Sequence, residues 1–401
     1  MRISTSQIFD AGTRGLMSGQ SALYKLQNQL SSGLRIMTAE DDPVGASQVL
    51  LDSQSLNVIR QYADNQKNAT SHLAFEDDIL KSVVEAVLYV QERVVAAQNS
   101  VYSDDQRVSF SIDIEAKLEA LYALANSKDS SGHYIFSGFE GNVQAFQKQS
   151  DGTIVYAGDD GQRKLQVDSS RQVSISDSGR DIFVNNRSGN GVFETGAGGG
   201  NTGTGVISPN SVNDSSQWTG EQYELRFTST TAYQVWEGTP PVQIGTGTYV
   251  DGAVITDIPG ITVSISGAPA AGDTFTVGPS VNRSIFDTLQ ALVDAYKTPV
   301  SGNATLAAQI RNTTVANMIN LDNILDNVAG VQASVGTRMH ELQALNATAQ
   351  DLDVHYEDKI SRIRDLDMVE AISRFTQQST QLEAAQKSFA QIITLSLFNY
   401  I

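Results

Sequence analysis

Cysteine is absent from this 401-residue chain, which removes disulfide scaffolds, thiolate metal sites and cysteine nucleophiles at once. Basic residues are outnumbered 27 to 45 by acidic ones, and the net charge of −18 repels nucleic acid and anionic membranes alike. Neither is expected as a partner. No run approaches the roughly 18 apolar residues of a membrane-spanning helix. The opening MRISTSQIFDAGTRG lacks the apolar core and small-residue cleavage site of a secretory signal. The chain is therefore expected either to stay in the cytosol or to leave by a route that reads no cleaved signal.

Catalytic patterns are missing too. His72, His133, His340 and His355 never fall at metal-ligand spacing, and there is no HExxH, no GxSxG elbow and no GxxxxGK[ST] phosphate loop. Adjacent acids such as Asp77/Asp78, Asp104/Asp105 and Asp159/Asp160 point apart on a helix or solvate a turn. No nucleophile, base and orienting group come together in the pattern. An enzyme is not expected, and no cofactor or metal is implied.

What is present is periodicity. Phe9, Leu16, Leu23, Leu30 and Met37 recur every seven residues, a heptad seam. Three residues further on stand Gly12, Gly19, Leu26 and Gly33, and each glycine costs a helix interior about 1 kcal/mol against Ala. Such a helix is marginal until a partner covers it. Near the other end Ile360, Ile363, Leu366, Val369, Ile372, Phe375, Leu382, Phe389, Ile392 and Leu395 follow steps of three, four or seven. Two readings compete: a C-terminal helix docked on its own domain, or half of a coiled coil whose partner is the other chain end, repeated across neighbouring copies. Charge favours buried ends. Residues 1–45 sum to zero and 356–401 to −1, so −17 lies between them.

Further helices are expected from Pro43 to about Gln98, from the Ser103-Asp104-Asp105 cap to about Asn126, from Ser284 to Lys297, and from Ala304 to His355, with Gly330 and Gly336 as weak points. Residues 188–282 differ: they hold 17 of the 32 glycines, Trp218, Trp236 and one basic residue, Arg226. Alternating runs such as Tyr223, Leu225, Phe227 and Ile261, Val263, Ile265 read as strands of an inserted all-β domain. Residues 134–187 read as strands and a hairpin turning at Asp159-Asp160-Gly161, and GAGGGNTGTG at 196–205 as a flexible tip or linker. The expected fold is mainly α with an all-β insertion: a long antiparallel helical bundle or coiled coil from both chain ends, and a β-rich outer domain in the middle. The expected division is 1–42 with 360–401 (terminal coiled coil), 43–133 with 283–359 (helical bundle), 134–187 (β-hairpin region) and 188–282 (outer β domain).

In SSGLRIMTAEDDPVGAS, residues 31–47, Glu40, Asp41 and Asp42 precede Pro43. Pro43 drives Asp42 out of α geometry, so Asp42 suits the N-cap and Pro43 the first helical position. Thr38 with Asp41 offers a capping box one turn earlier, and both starts stay open.

This stretch resembles the junction between the terminal helix and the first long helix of bacterial flagellins and their hook-associated relatives. The start MRIST, the run SSGHYIFSGF at 130–139 and the close SLFNYI at 396–401 favour the hook-associated branch at the hook–filament junction over flagellin proper. The similarity covers roughly the first 140 and last 120 residues; the central β region is unmatched and long for the family. The resemblance implies that Phe9, Leu16, Leu23 and Leu30 form one half of the innermost coiled-coil layer, and Leu366, Ile372, Phe375, Leu382 and Phe389 the other. Met37, Ile392, Leu395 and Phe398 extend this expected assembly interface, with Asp41, Asp42 and Pro43 as the cap at the joint. It also implies a ring of copies between hook-associated protein 1 and flagellin, flagellar type III export with an export chaperone on the C-terminal helix, and an extracellular structural role in motility. Two alternatives stay open: a filament-forming flagellin, or a secreted surface-binding protein acting through the β insertion.

Overall fold

The computed structural model describes residues 5–98 and 103–398, without the side chains of 5, 6, 8 and 392–398. Among the described residues there are seven helices: α1 (Thr5–Ser32), α2 (Pro43–Ala97), α3 (Asp104–Ala125), α4 (Gly179–Phe183), α5 (Ile285–Lys297), α6 (Ala304–Arg364) and α7 (Met368–Phe398). Their starts follow local cap chemistry. The Ser103 side chain accepts from Gln106 N while Gln106 returns a bond to Ser103 N, a complete capping box opening α3. Ser284 caps α5 in the same way from one side. Helix α6 runs unbroken through Gly330 and Gly336 to Arg364, beyond the end expected at His355, because a β-carbon at either glycine would meet nothing and long-range packing outweighs their propensity cost.

The chain divides into two compact units: Met1–Asn65 with Ala344–Ile401, and Gln66–Gln343. In the larger unit the apolar faces of α2 (Leu73, Leu80, Val87, Val94), α3 (Ile114, Leu121), α5 (Leu289, Leu292) and α6 (Leu321, Val335) are fully buried. At about 1.5–3 kcal/mol for each such side chain, this face holds the helices together far more than propensity does.

The strands follow α3. Two short hairpins come first: β1 (Phe146–Lys148) with β2 (Ile154–Tyr156), and β3 (Lys164–Asp168) with β4 (Arg171–Ser174). The hairpin turn expected at Asp159–Gly161 is not there. The turn that pairs strands is Asp151-Gly152, with Gly152 at φ +89°, whereas Asp159 folds back to accept from Phe139 N and Gly161 N. Both stretches carry an Asp-Gly turn signature, and only the second half of the pairing decides between them.

After β5 (Asn186–Arg187) come β6 (Phe193–Ala197), β7 (Val206–Val212), β8 (Tyr223–Ser229), β9 (Ala232–Glu237), β10 (Val242–Thr248), β11 (Val254–Ile255), β12 (Ile261–Ser266), β13 (Thr274–Pro279) and β14 (Asn282–Arg283). Strands β6–β13 form an antiparallel sheet ordered β10-β9-β8-β13-β6 and a smaller one ordered β11-β12-β7, while β14 pairs with β5. Tyr223, Leu225 and Phe227 alternate inward on β8 and meet Ile261, Val263 and Ile265 of β12 in one core. The GAGGGNTGTG run, expected to be a flexible linker, is fastened. Thr202 N and Gly203 N donate to the Asp273 carboxylate at 2.7 and 3.1 Å, and Thr305 and Gln309 of α6 donate to Thr202 O and Gly199 O. Glycine here permits close backbone approach: a β-carbon on Gly203 would lie 2.5 Å from Ala270 N.

Candidate assembly interface

Within the smaller unit, α1 and α7 pack side by side and antiparallel. The rings of Phe9 and Phe389 are 5.3 Å apart and tilted by 43°. A β-carbon on Gly12 would stand 2.4 Å from Phe389 Cε2, and one on Gly19 would stand 3.2 Å from Leu382 Cδ1. Seven residues along α1 thus match seven along α7, heptad against heptad, and the glycines are the holes into which Phe389 and Leu382 fit. The same register sets buried Leu26 level with half-buried Phe375. From propensity alone Gly12 and Gly19 only weaken α1. Their recurrence in phase with the seam was the available signal for a close-packing face.

The expected interface residues are placed as follows. Leu16, Leu23, Leu30, Met37, Leu366, Phe375, Leu382 and Phe389 are half-buried; Phe9 and Ile372 are exposed. Ile392, Leu395 and Phe398 have side chains outside the described residues. A second apolar set stays exposed on the same unit: Met17 and Tyr24 at 67%, Val44 at 81% and Val369 at 82%.

The two chain ends are also stitched at their joints. Gly33, at φ +72°, terminates α1, and its carbonyl accepts from Leu366 N at 2.9 Å. Arg35 N donates to Arg364 O at 2.7 Å, and Leu34 and Asp365 form an antiparallel bridge. The Arg35 guanidinium spans the joint, donating Nη2 to Ile363 O at 2.5 Å and facing Asp42 Oδ2 from Nη1 at 3.3 Å.

Each of the three acids has its own position. Asp42 is the N-cap of α2: its Oδ1 accepts from Gly45 N at 2.9 Å, which holds its carboxyl below the usual range, and Pro43 opens the helix. Only half of the earlier capping box forms: Asp41 Oδ2 accepts from Thr38 N, and from Met37 N, at 3.0 Å, but Asp41 N donates to Thr38 O rather than to Thr38 Oγ1, so the residues close a turn before the helix. Lys25 Nζ sits 2.6 Å from Asp41 Oδ1, and this bond, followed by the backbone donors, lowers the Asp41 carboxyl to about 2. Glu40 is exposed. A β-carbon on Gly45 would collide with both Asp42 Oδ2 and Ile36 Cδ1 at 2.6 Å, so glycine lets the cap close. Arg35 was missed as a connector since Ile363, whose carbonyl it reaches, is more than 300 residues away.

Further out in the unit, α2 and α6 are tied by Lys359 to Asp52 at 2.7 Å and by Arg60 to Asp353 at 2.6 Å and to Glu357. Lys359 holds the Asp52 carboxyl below its ordinary value. Among the described residues no group of three or more His, Cys, Asp or Glu is arranged to hold a metal ion.

The bacterial flagellin N-terminal helical region matches residues 3–140, and the bacterial flagellin C-terminal helical region matches 318–401. Flagellar hook-associated protein 3 of Salmonella typhimurium is 27% identical over 402 residues, covering 99% of each chain. Phase 1 flagellin of Salmonella naestved matches at 26% over only 135 residues, 34% of this chain and 27% of its own. The crystal structure of Xanthomonas campestris FlgL superposes with a TM-score of 0.72 at 29% identity, covering 77% of this chain and 99% of that one. Flagellar hook associated protein-3 from Legionella pneumophila gives 0.72 at 27% identity, over 79% and 99%.

Proposed function

Since the chain belongs to the flagellin-like family of flagellar axial proteins, as a full-length homologue of hook-associated protein 3, we propose that it is the structural junction between the hook and the flagellin filament. One observation carries the mechanism. The α1–α7 pair seats its glycines on Phe389 and Leu382, yet Met17, Tyr24, Val44 and Val369 of the same unit remain exposed. Neighbouring copies in a ring cover that set, with hook-associated protein 1 on one side and flagellin on the other. Apolar burial between copies is non-directional and strong, while the joint at Gly33–Leu366 fixes the angle at which each copy enters.

In this reading residues 1–42 with 360–401 form the axial layer, 43–133 with 283–359 the next shell, and 188–282 the outer domain. The protein acts by binding, not catalysis. It reaches the extracellular flagellum through the flagellar type III apparatus, with an export chaperone on the C-terminal helix. Helices weakened by Gly12, Gly15 and Gly19 suit passage as an unfolded chain and folding once neighbours bury the stripe.

A deletion strain viewed by electron microscopy tests the junction role. Hooks without filaments, with flagellin shed into the medium, are expected; full-length filaments on the deletion strain overturn it. Seeding separates the reading from flagellin: the purified protein is expected not to grow long polymers on flagellar fragments.

A further inference from the structure

Glu76 lies on α2 in the larger unit with 2% of its surface exposed. Its Oε1 accepts from Asp177 N at 3.1 Å, and its Oε2 has no hydrogen-bond partner. Asp177 is also buried, and its carboxylate receives the Arg338 guanidinium on Oδ2 and Gln162 Nε2 on Oδ1 at 3.0 Å. Arg338, from α6, gives its Nη1 to Ser174 O at 3.1 Å. Arg163 is the other cation that acts on Glu76, and its Nη1 is 3.5 Å from Asp129 Oδ2.

Glu76 and Asp177 thus compete for Arg338, whose guanidinium is committed to Asp177. A second full negative charge in this buried site would have one oxygen with no donor and a carboxylate opposite it. A neutral carboxyl avoids both costs and leaves the Asp177–Arg338 pair balanced. We propose that Glu76, Asp177 and Arg338 form a proton-held latch that fastens residues 162–178, the segment carrying β3 and β4, onto α2 and α6.

Burial first, and the Asp177 charge second, push the Glu76 carboxyl up to about 8. The folded state therefore holds a proton that the unfolded chain releases near the ordinary glutamate value. The stabilisation is complete at low pH and is lost as pH rises through about 8. Above that point Glu76 and Asp177 repel each other across the segment. The segment then keeps its outer ties, Gln66 to Val167 O at 2.8 Å and Arg171 to Glu341 at 2.5 Å, while its inner edge loosens.

Hydrogen exchange of the full chain at pH 6 and pH 9, corrected for intrinsic rates, tests the latch. Amides of residues 163–178 are expected to open on the order of a hundredfold more often at pH 9 than at pH 6, which lies two units below the Glu76 value, and E76Q is expected to remove that difference. Equal protection at both pH values in the wild type, or the same rise in E76Q, overturns the proposal. Infrared spectroscopy of the wild type decides it without a variant: a protonated-carboxyl band is expected to persist at pH 7 and fade by pH 9, and its absence at pH 7 overturns the latch.

Discussion

Gly12 and Phe389 stand so close that a β-carbon on the first would lie 2.4 Å from Cε2 of the second, although 376 residues separate them in the chain. The contact turns a residue that weakens a helix into one that lets two helices meet. Gly15, one turn away, has nothing within 4 Å of where its β-carbon would be.

The two glycines give opposite substitutions. G15A is expected to raise helix content by about 1 kcal/mol of propensity and leave assembly intact. G12A gains the same propensity but must displace the Phe389 ring, and G12L cannot pair at all. Circular dichroism together with incorporation into flagella checks this; normal incorporation of G12L would falsify the α1–α7 register.

Deleting residues 388–401 removes Phe389 and with it the ring contact to Phe9. The β core around Phe227 and Phe275 has no residue from this segment, so its cooperative unfolding is expected to be unchanged. Assembly onto hooks is expected to be lost. Calorimetry and pull-down with hook fragments measure the two halves separately.

The joint responds to acid. Lys25, then the Thr38 and Met37 backbone donors, lower the Asp41 carboxyl from 3.8 to about 2, so the folded state releases this proton more readily than the unfolded one. Its stabilisation is present above 3.8 and is lost as pH falls through about 2. Exchange at the Met37 and Thr38 amides is expected to accelerate across that window in the wild type. In D41N it is expected to be fast on both sides.

A row of asparagines on α6 holds the insertion and the short helix α4 that precedes it. Asn320 Oδ1 accepts from buried Gly189 N at 3.0 Å, Asn312 Oδ1 from Ile207 N at 2.9 Å, and Asn327 Nδ2 donates to Asp181 O at 2.7 Å. N320A leaves the Gly189 amide buried without an acceptor and is expected to cost about 1–3 kcal/mol in urea unfolding. N320D retains an acceptor and is expected to lose less.

How much of this was legible beforehand depends on the range of the interaction. The cap at Ser103 was readable, and Asp42-Pro43 was readable as one of two starts, because an N-cap bond closes within three residues. Periodicity was readable for the same reason: a stripe every seven residues or an alternation every two states which face of an element is apolar. It gave the terminal helices and the β insertion, and their expected antiparallel helical partnership is the one found between α1 and α7.

The partners across the chain were not readable. Arg35 could have met any carbonyl, and only the fold places Ile363 and Asp42 around it. Asp159-Asp160-Gly161 and Asp151-Gly152 carry the same turn signature, yet only the second closes a hairpin, because Phe139 claims the Asp159 carboxylate. Glu76 looked like any helical glutamate until burial beside Asp177 made its proton part of the structure. Sequence by itself determined which elements form and which faces are apolar, since those follow from bonds and spacings within a few residues. Tertiary structure alone decided which glycines are holes, which acids are caps and which is a buried acid, since packing and desolvation depend on neighbours brought from hundreds of residues away.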